Sequence, residues 1–157
     1  MKNQQGFDVY GMGLALEEAR KAYSLGEVPV GAVILKEGTV IGKGHNLKET
    51  LNDPTAHAEI LAIREAARYE TGWRILNATM YVTLEPCPMC AGAIVMARIP
   101  RLIVGTRDPR AGACGSLWDI TGDQRLNHRV EVSFGVMEEK CRVLLESFFK
   151  ELREGRV

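Results

Sequence analysis

Two short segments carry residue types that could do chemistry together. The first, Asp53-Pro54-Thr55-Ala56-His57-Ala58-Glu59, holds a His-x-Glu, and the second, Glu85-Pro86-Cys87-Pro88-Met89-Cys90, holds a Pro-Cys-x-x-Cys. Zinc prefers cysteine sulfur and histidine nitrogen, and a catalytic zinc keeps three protein ligands with a fourth place open to water. His57, Cys87 and Cys90 make up that number. Cys87 and Cys90 stand three apart, so both reach one ion if a helix starts there, and a helix N-terminus favours the thiolate. Zinc held this way activates its water near neutral pH. Glu59, two residues past His57, is placed to take that water's proton and hand it to a leaving group.

A Cys-x-x-Cys pair also occurs in structural zinc sites and in proteins without metal. A closed structural site usually has four Cys or His ligands. The other histidines, His45 and His128, lack zinc-ligand spacing with the pair. Three ligands beside Glu59 favour the open, catalytic arrangement.

The elements that must position these residues read as follows. Residues 1–9 read as a loose terminus. Tyr10 to Leu25 sets Met12, Leu16, Ala19 and Tyr23 at helical spacing among charged residues, and Gly26 stops it. Gly31 to Lys36 reads as a buried strand, Glu37-Gly38 as a turn, and Thr39 to Gly44 as the returning strand. Asp53 and Pro54 read as N-cap and first position of a helix running to about Tyr69. That start creates a tension, because residues two apart on a regular helix diverge by about 200°. His57 and Glu59 then face one metal only if it lies at the helix's N-terminal end. Ala78 to Leu84 is the third strand. Met89 to Arg98 is a helix whose Ala91-Gly92-Ala93 stretch invites close packing.

Arg101 to Thr106 is the fourth strand and Val130 to Phe134 the fifth. Between them, residues 109–129 show no clear periodicity. Met137 to Arg153 is the clearest helix, with Cys141, Leu144, Leu145, Phe148, Phe149 and Leu152 on one face. The order α-β-β-α-β-α-β-α-β-α, with helical crossovers between the later strands, argues for parallel pairing there. The expectation is an α/β fold of three layers, α/β/α, around a mixed five-stranded sheet.

At 157 residues the chain has the length of one domain, 1–157, with a sizeable core. Twenty basic and twenty acidic residues cancel, so net charge gives no support for nucleic-acid binding and leaves a local patch open. Four cysteines, two of them in the motif, do not make a disulfide framework. Cys114 and Cys141 read as reduced, buried small hydrophobes. No apolar run has signal-peptide or membrane length, and a cytoplasmic location is the default expectation.

Residues His57-Ala58-Glu59 and Pro86-Cys87-Pro88-Met89-Cys90 resemble the signature of the zinc-dependent cytidine/deoxycytidylate deaminase superfamily. Glu27-Val28-Pro29-Val30-Gly31-Ala32, Tyr81-Val82-Thr83-Leu84-Glu85, Asn127-His128-Arg129-Val130 and Phe148-Phe149 narrow the likeness to its bacterial tRNA adenosine deaminases, over about residues 10–153. The resemblance implies a cytidine-deaminase-like fold and one zinc per subunit of a homodimer. It implies hydrolytic deamination of the wobble adenosine to inosine in a tRNA anticodon stem-loop, an arginine tRNA being the expected substrate. Glu59 would be the catalytic carboxylate. Asn46 would line the substrate pocket, although it also reads as a turn residue. The Ala58 amide would hold the purine, and Asp108 would face the ribose, although an Asp-Pro step is also an ordinary turn. Possible RNA contacts are Arg107, Arg110, Phe149, Lys150 and Arg153. Glu151 and Glu154 interleave the last of these, as on a solvated helix face. Two alternatives stay open: a deaminase of a free purine base or nucleoside, which shares the zinc motif, and a non-catalytic zinc-binding scaffold, which would have no need of Glu59.

Overall fold

The computed structural model describes the backbone of residues 2–157 and side chains from residue 4 onward; Met1 lies outside the described residues. The elements are α1 (Lys2–Ser24), β1 (Gly31–Lys36), β2 (Thr39–His45), α2 (Ala58–Glu70), β3 (Thr79–Leu84), α3 (Pro88–Met96), β4 (Arg101–Thr106), β5 (Glu131–Phe134) and α4 (Glu138–Arg153). The sheet order is β2-β1-β3-β4-β5. β1 runs antiparallel to β2 and β3, while β3, β4 and β5 are parallel. The mixed five-stranded sheet is therefore as expected.

Side chains alternate across the sheet, and the two faces carry separate cores. Ala32, Ile34, Met80, Val82, Leu102 and Val104 point to the layer of α2 and α3, where Ala58, Ala62, Ala66, Ala91, Ile94 and Val95 meet them. Val33, Leu35, Tyr81 and Ile103 point the other way, against Met12, Ala15 and Leu16 of α1 and Cys141 of α4. A fully buried Ile or Leu among these contributes about 1.5–3 kcal/mol. The α2 layer lies close because β2 has no side chain where the helix crosses it. A Cβ on Gly42 would lie 2.3 Å from the Ala62 carbonyl oxygen, and one on Gly44 2.5 Å from that of Ala58. These two glycines set the height at which α2 begins, which is the height of His57 and Glu59.

Three expectations are corrected. Residues 2–9 are not loose but form the first half of α1. Asp8 anchors them: its carboxylate accepts from Arg101 at 2.8 and 2.7 Å and from the Tyr81 hydroxyl at 2.8 Å. Burial alone would raise the Asp8 carboxyl, but the bonds from Arg101, Tyr81 and Gln4 hold it below its ordinary range. Second, α2 starts at Ala58, not at Pro54. Asp53 spends its side chain on a turn, accepting from the Thr55 backbone N–H at 2.8 Å and the Thr55 hydroxyl at 2.7 Å. Third, among the described residues no helix separates β4 from β5. The segment between them is a run of turns, and the eighth element of the expected order, a helix between the fourth and fifth strands, does not exist. Cys114 and Cys141 are free and buried, as expected.

Candidate active site

Both ligand segments begin helices on the same face of the sheet. His57 is the N-cap of α2, with φ −78° and ψ 152°. Cys87 is the N-cap of α3, with φ −72° and ψ 174°, and Pro88 follows at the first helical position. An N-cap residue is extended, so its side chain is not bound to the helical rotation. That removes the tension over His57 and Glu59, since His57 precedes the helix and Glu59 sits in its first turn. Cys90, also in a first turn, is fully buried.

The side chains converge. Cys87 Sγ lies 3.7 Å and Cys90 Sγ 3.5 Å from His57 Nδ1, and one donor atom from each residue falls within 4.8 Å of the others. The nitrogen–sulfur edge of a zinc tetrahedron with ordinary bond lengths is roughly 3.5 Å. Donor chemistry and spacing therefore fit zinc, with no fourth protein ligand among the described residues.

The charges are shifted together. A hydrogen bond from Cys90 foremost, then the His57 ring, outweigh burial and bring the Cys87 thiol down to about 4. Its hydrogen bond to Cys87 is the main reason His57 is raised, and the adjoining Cys87 sulfur raises Cys90. Glu59 is 4% exposed. Burial, reinforced by the neighbouring Cys87 charge, pushes it up to about 7. A carboxyl poised there exchanges protons readily near neutrality.

His57, Glu59 and Cys87 line a cavity of about 190 Å³ together with Val28, Asn46, Ala58, Leu84, Glu85 and Asp108. That is smaller than the ~300–1,000 Å³ that houses a drug-sized ligand. It suits one heterocyclic base rather than a whole nucleotide. Asn46 is buried, donating to the Val28 carbonyl at 3.2 Å and accepting from the Lys48 N–H at 3.1 Å. Asp108 lines the cavity and also forms a turn, accepting from the backbone N–H groups of Arg110 at 2.9 Å and Ala111 at 3.2 Å. For both residues the turn role and the pocket position coexist. Ala58 opens α2, where first-turn N–H groups have no helical acceptor.

A second groove of about 520 Å³ adjoins the cavity at Val28, Leu84 and Asp108 and runs along α4. Arg107, Arg110, Phe149 and Arg153 line it together with Leu145. Arg107 also stacks on Phe134, its guanidinium 3.8 Å from the ring centroid. Lys150 is exposed and is not among the residues lining this groove.

Two buried carboxylates at the site were not singled out from the sequence. Glu27, 1% exposed, accepts from the backbone N–H groups of Glu49 at 3.1 Å and Thr50 at 2.6 Å. Glu85 gathers four donors from residues 108–116. Burial opposes ionisation of Glu85, but those bonds, Ser116's first, hold it below the usual carboxylate range. Both stand in runs that carry the family resemblance, Glu27-Val28-Pro29-Val30-Gly31-Ala32 and Tyr81-Val82-Thr83-Leu84-Glu85, but nothing in those runs marks either residue as a buried acceptor.

The model of the family described as the cytidine and deoxycytidylate deaminase zinc-binding region matches residues 6–106. The chain is 49% identical over 142 residues to a tRNA-specific adenosine deaminase of Bacillus subtilis, covering 90% of this chain and 88% of that one. It is 49% identical over 156 residues to one of Haemophilus influenzae, covering 99% and 90%. A solved structure from a study of A-to-I editing by tRNA:A34 deaminases at the wobble position of transfer RNA superposes with a TM-score of 0.83. It is 44% identical and covers 87% of this chain and 99% of its own.

Proposed function

The chain belongs to the cytidine and deoxycytidylate deaminase zinc-binding family, and from that premise we propose that it converts the wobble adenosine of a tRNA anticodon to inosine, with release of ammonia. The observation that carries the chemistry is the convergence of His57, Cys87 and Cys90 beside the buried Glu59 at the end of a base-sized cavity. The substrate class rests on the relatives named above.

His57, Cys87 and Cys90 would hold one zinc, which when bound supplies a Lewis acid that makes water nucleophilic near neutral pH. Glu59 takes a proton from the attacking water and returns it to the adjoining ring nitrogen; it then takes the proton of the new C6 hydroxyl and delivers it to the amine as the C6–N bond breaks, releasing ammonia and leaving the carbonyl of inosine. Asn46 and the Ala58 N–H orient the purine. Asp108, where the cavity meets the groove, reads the ribose hydroxyl. The cavity admits the base alone, so the rest of the anticodon loop lies outside it, along the groove of Arg107, Arg110, Phe149 and Arg153. Four free cysteines accord with a reducing cytoplasm.

The working unit in this reading is a homodimer. α3 shows Met89 and Met96 to solvent at 36% and 67% exposure, with the partly exposed Gly92 and Ala93 between them. Ala91 is not part of that face, being wholly buried in the core.

The test compares a short arginine-tRNA anticodon hairpin with free adenosine, adenine, guanine and cytidine, read as ammonia release and inosine formation. The hairpin should be deaminated far faster than the rest. A free base or nucleoside turning over faster would replace this substrate assignment while keeping the same proton-transfer residues.

A further inference from the structure

We propose that Glu85 is a positioning residue, which acts through Asp108 to make the site prefer a ribose to a deoxyribose at the target nucleotide. The inference rests on the deaminase reading above and adds to it a residue that lines the cavity but is not one of the converging metal donors.

Glu85 is 2% exposed and stands where β3 ends. Its Oε1 accepts from the Asp108 N–H at 3.0 Å and the Ser116 hydroxyl at 2.5 Å. Its Oε2 accepts from the N–H groups of Cys114 and Ser116, each at 3.1 Å. One carboxylate therefore ties both ends of the loop 108–116. The loop closes over it because Gly112 has no side chain. A Cβ there would lie 2.4 Å from Glu85 Cδ and 2.5 Å from the Asp108 carbonyl oxygen. Asp108 in turn fixes its own side chain against the Arg110 and Ala111 N–H groups.

The placement of Asp108 in the cavity thus runs from Glu85 through the loop backbone. No helix or strand in this segment would hold it otherwise. A buried, fully satisfied polar network specifies one geometry, and half-satisfying it releases that geometry. Glu85→Gln puts an NH₂ against donors and removes acceptors for one end of the loop. Gly112→Ala keeps every charge and forces a methyl between carboxylate and loop.

The experiment uses zinc-loaded protein and two hairpins that differ only in a ribose or deoxyribose at the target adenosine. It measures kcat, KM, zinc content and melting for wild type, Glu85→Gln, Gly112→Ala, Asp108→Asn and the Glu85→Gln/Asp108→Asn double variant. Both loop variants should keep one zinc per chain. Their kcat/KM on the ribose hairpin should fall on the order of 10²-fold, as misplacement of about 1 Å does, mainly through KM. Their ribose preference should collapse towards that of Asp108→Asn. In the double variant Glu85→Gln should cost little beyond Asp108→Asn, the non-additivity of residues that act as one.

An unchanged ribose preference, a fully additive double variant, or loss of zinc from both loop variants would each assign Glu85 to stability alone and overturn the proposal. A wild type silent on both hairpins but active on a free base would instead overturn the substrate reading, and this proposal with it.

Discussion

In the proposed reaction, Glu59 is the residue on which the chemistry turns. It is not among the converging donors, it is almost wholly buried, and its carboxyl is raised to about 7 because burial disfavours the charge. Glu59→Gln keeps the shape and removes the proton carrier. Metal content and melting should stay at wild-type values while turnover falls about 10²- to 10⁴-fold. Zinc lost in step with activity would make Glu59 a ligand instead. The four residues of this centre were legible in the sequence because a metal dictates donor type and spacing, and a helix start lets Cys87 and Cys90 meet. Glu27 and Glu85 were not legible. A carboxylate that binds backbone N–H groups of a distant loop leaves no spacing pattern, since its partners are amides that every residue carries.

At the scale of elements, β1 and β4 were read from the sequence with their observed limits. Each is a short apolar run with a clear break before it, at Pro29-Val30 or Ile99-Pro100. Residues 2–9 of α1 were missed because Gly6 weakens a helical pattern and the stabilising bonds of Asp8 reach across to β3 and β4. The start of α2 was misplaced because Asp53-Pro54 is as good a turn signal as a helix signal. α3 carries a prediction of its own. Its outward residues Met89, Gly92, Ala93 and Met96 fall at i, i+3, i+4 and i+7, the spacing of a helix face made for contact. Wild type at micromolar concentration should sediment at twice the 17.4 kDa of one chain. Met96→Glu, at a position 67% exposed in the single chain, should shift it to monomer without changing the circular dichroism. A wild-type monomer active on the RNA hairpin would sink the dimer.

For the whole molecule, equal numbers of basic and acidic residues mean that any attraction to RNA must be local. In the proposed reading, the arginines that line the groove beside the cavity supply it. RNA turnover should therefore fall as salt rises, because phosphate contacts release counterions. Turnover independent of salt would remove those arginines from the interface. The sheet order has a consequence for time rather than for chemistry. His57 follows the β1–β2 hairpin, while Cys87 and Cys90 follow β3, and the two parts meet only when β1 pairs with β3 across dozens of intervening residues. Long-range pairing of this kind is the slow part of folding. The donor set is thus completed after the rate-limiting closure, and an ion that binds it contributes after the transition state. Zinc in the refolding buffer should leave the folding rate nearly unchanged and slow unfolding. Chelation should lower the melting temperature by about 2–4 °C per kcal/mol of binding energy removed. A metal that accelerated folding would mean the two halves meet early. Otherwise the ion acts as a latch on an already assembled sheet, one that a cell short of zinc would leave open on a protein that still folds.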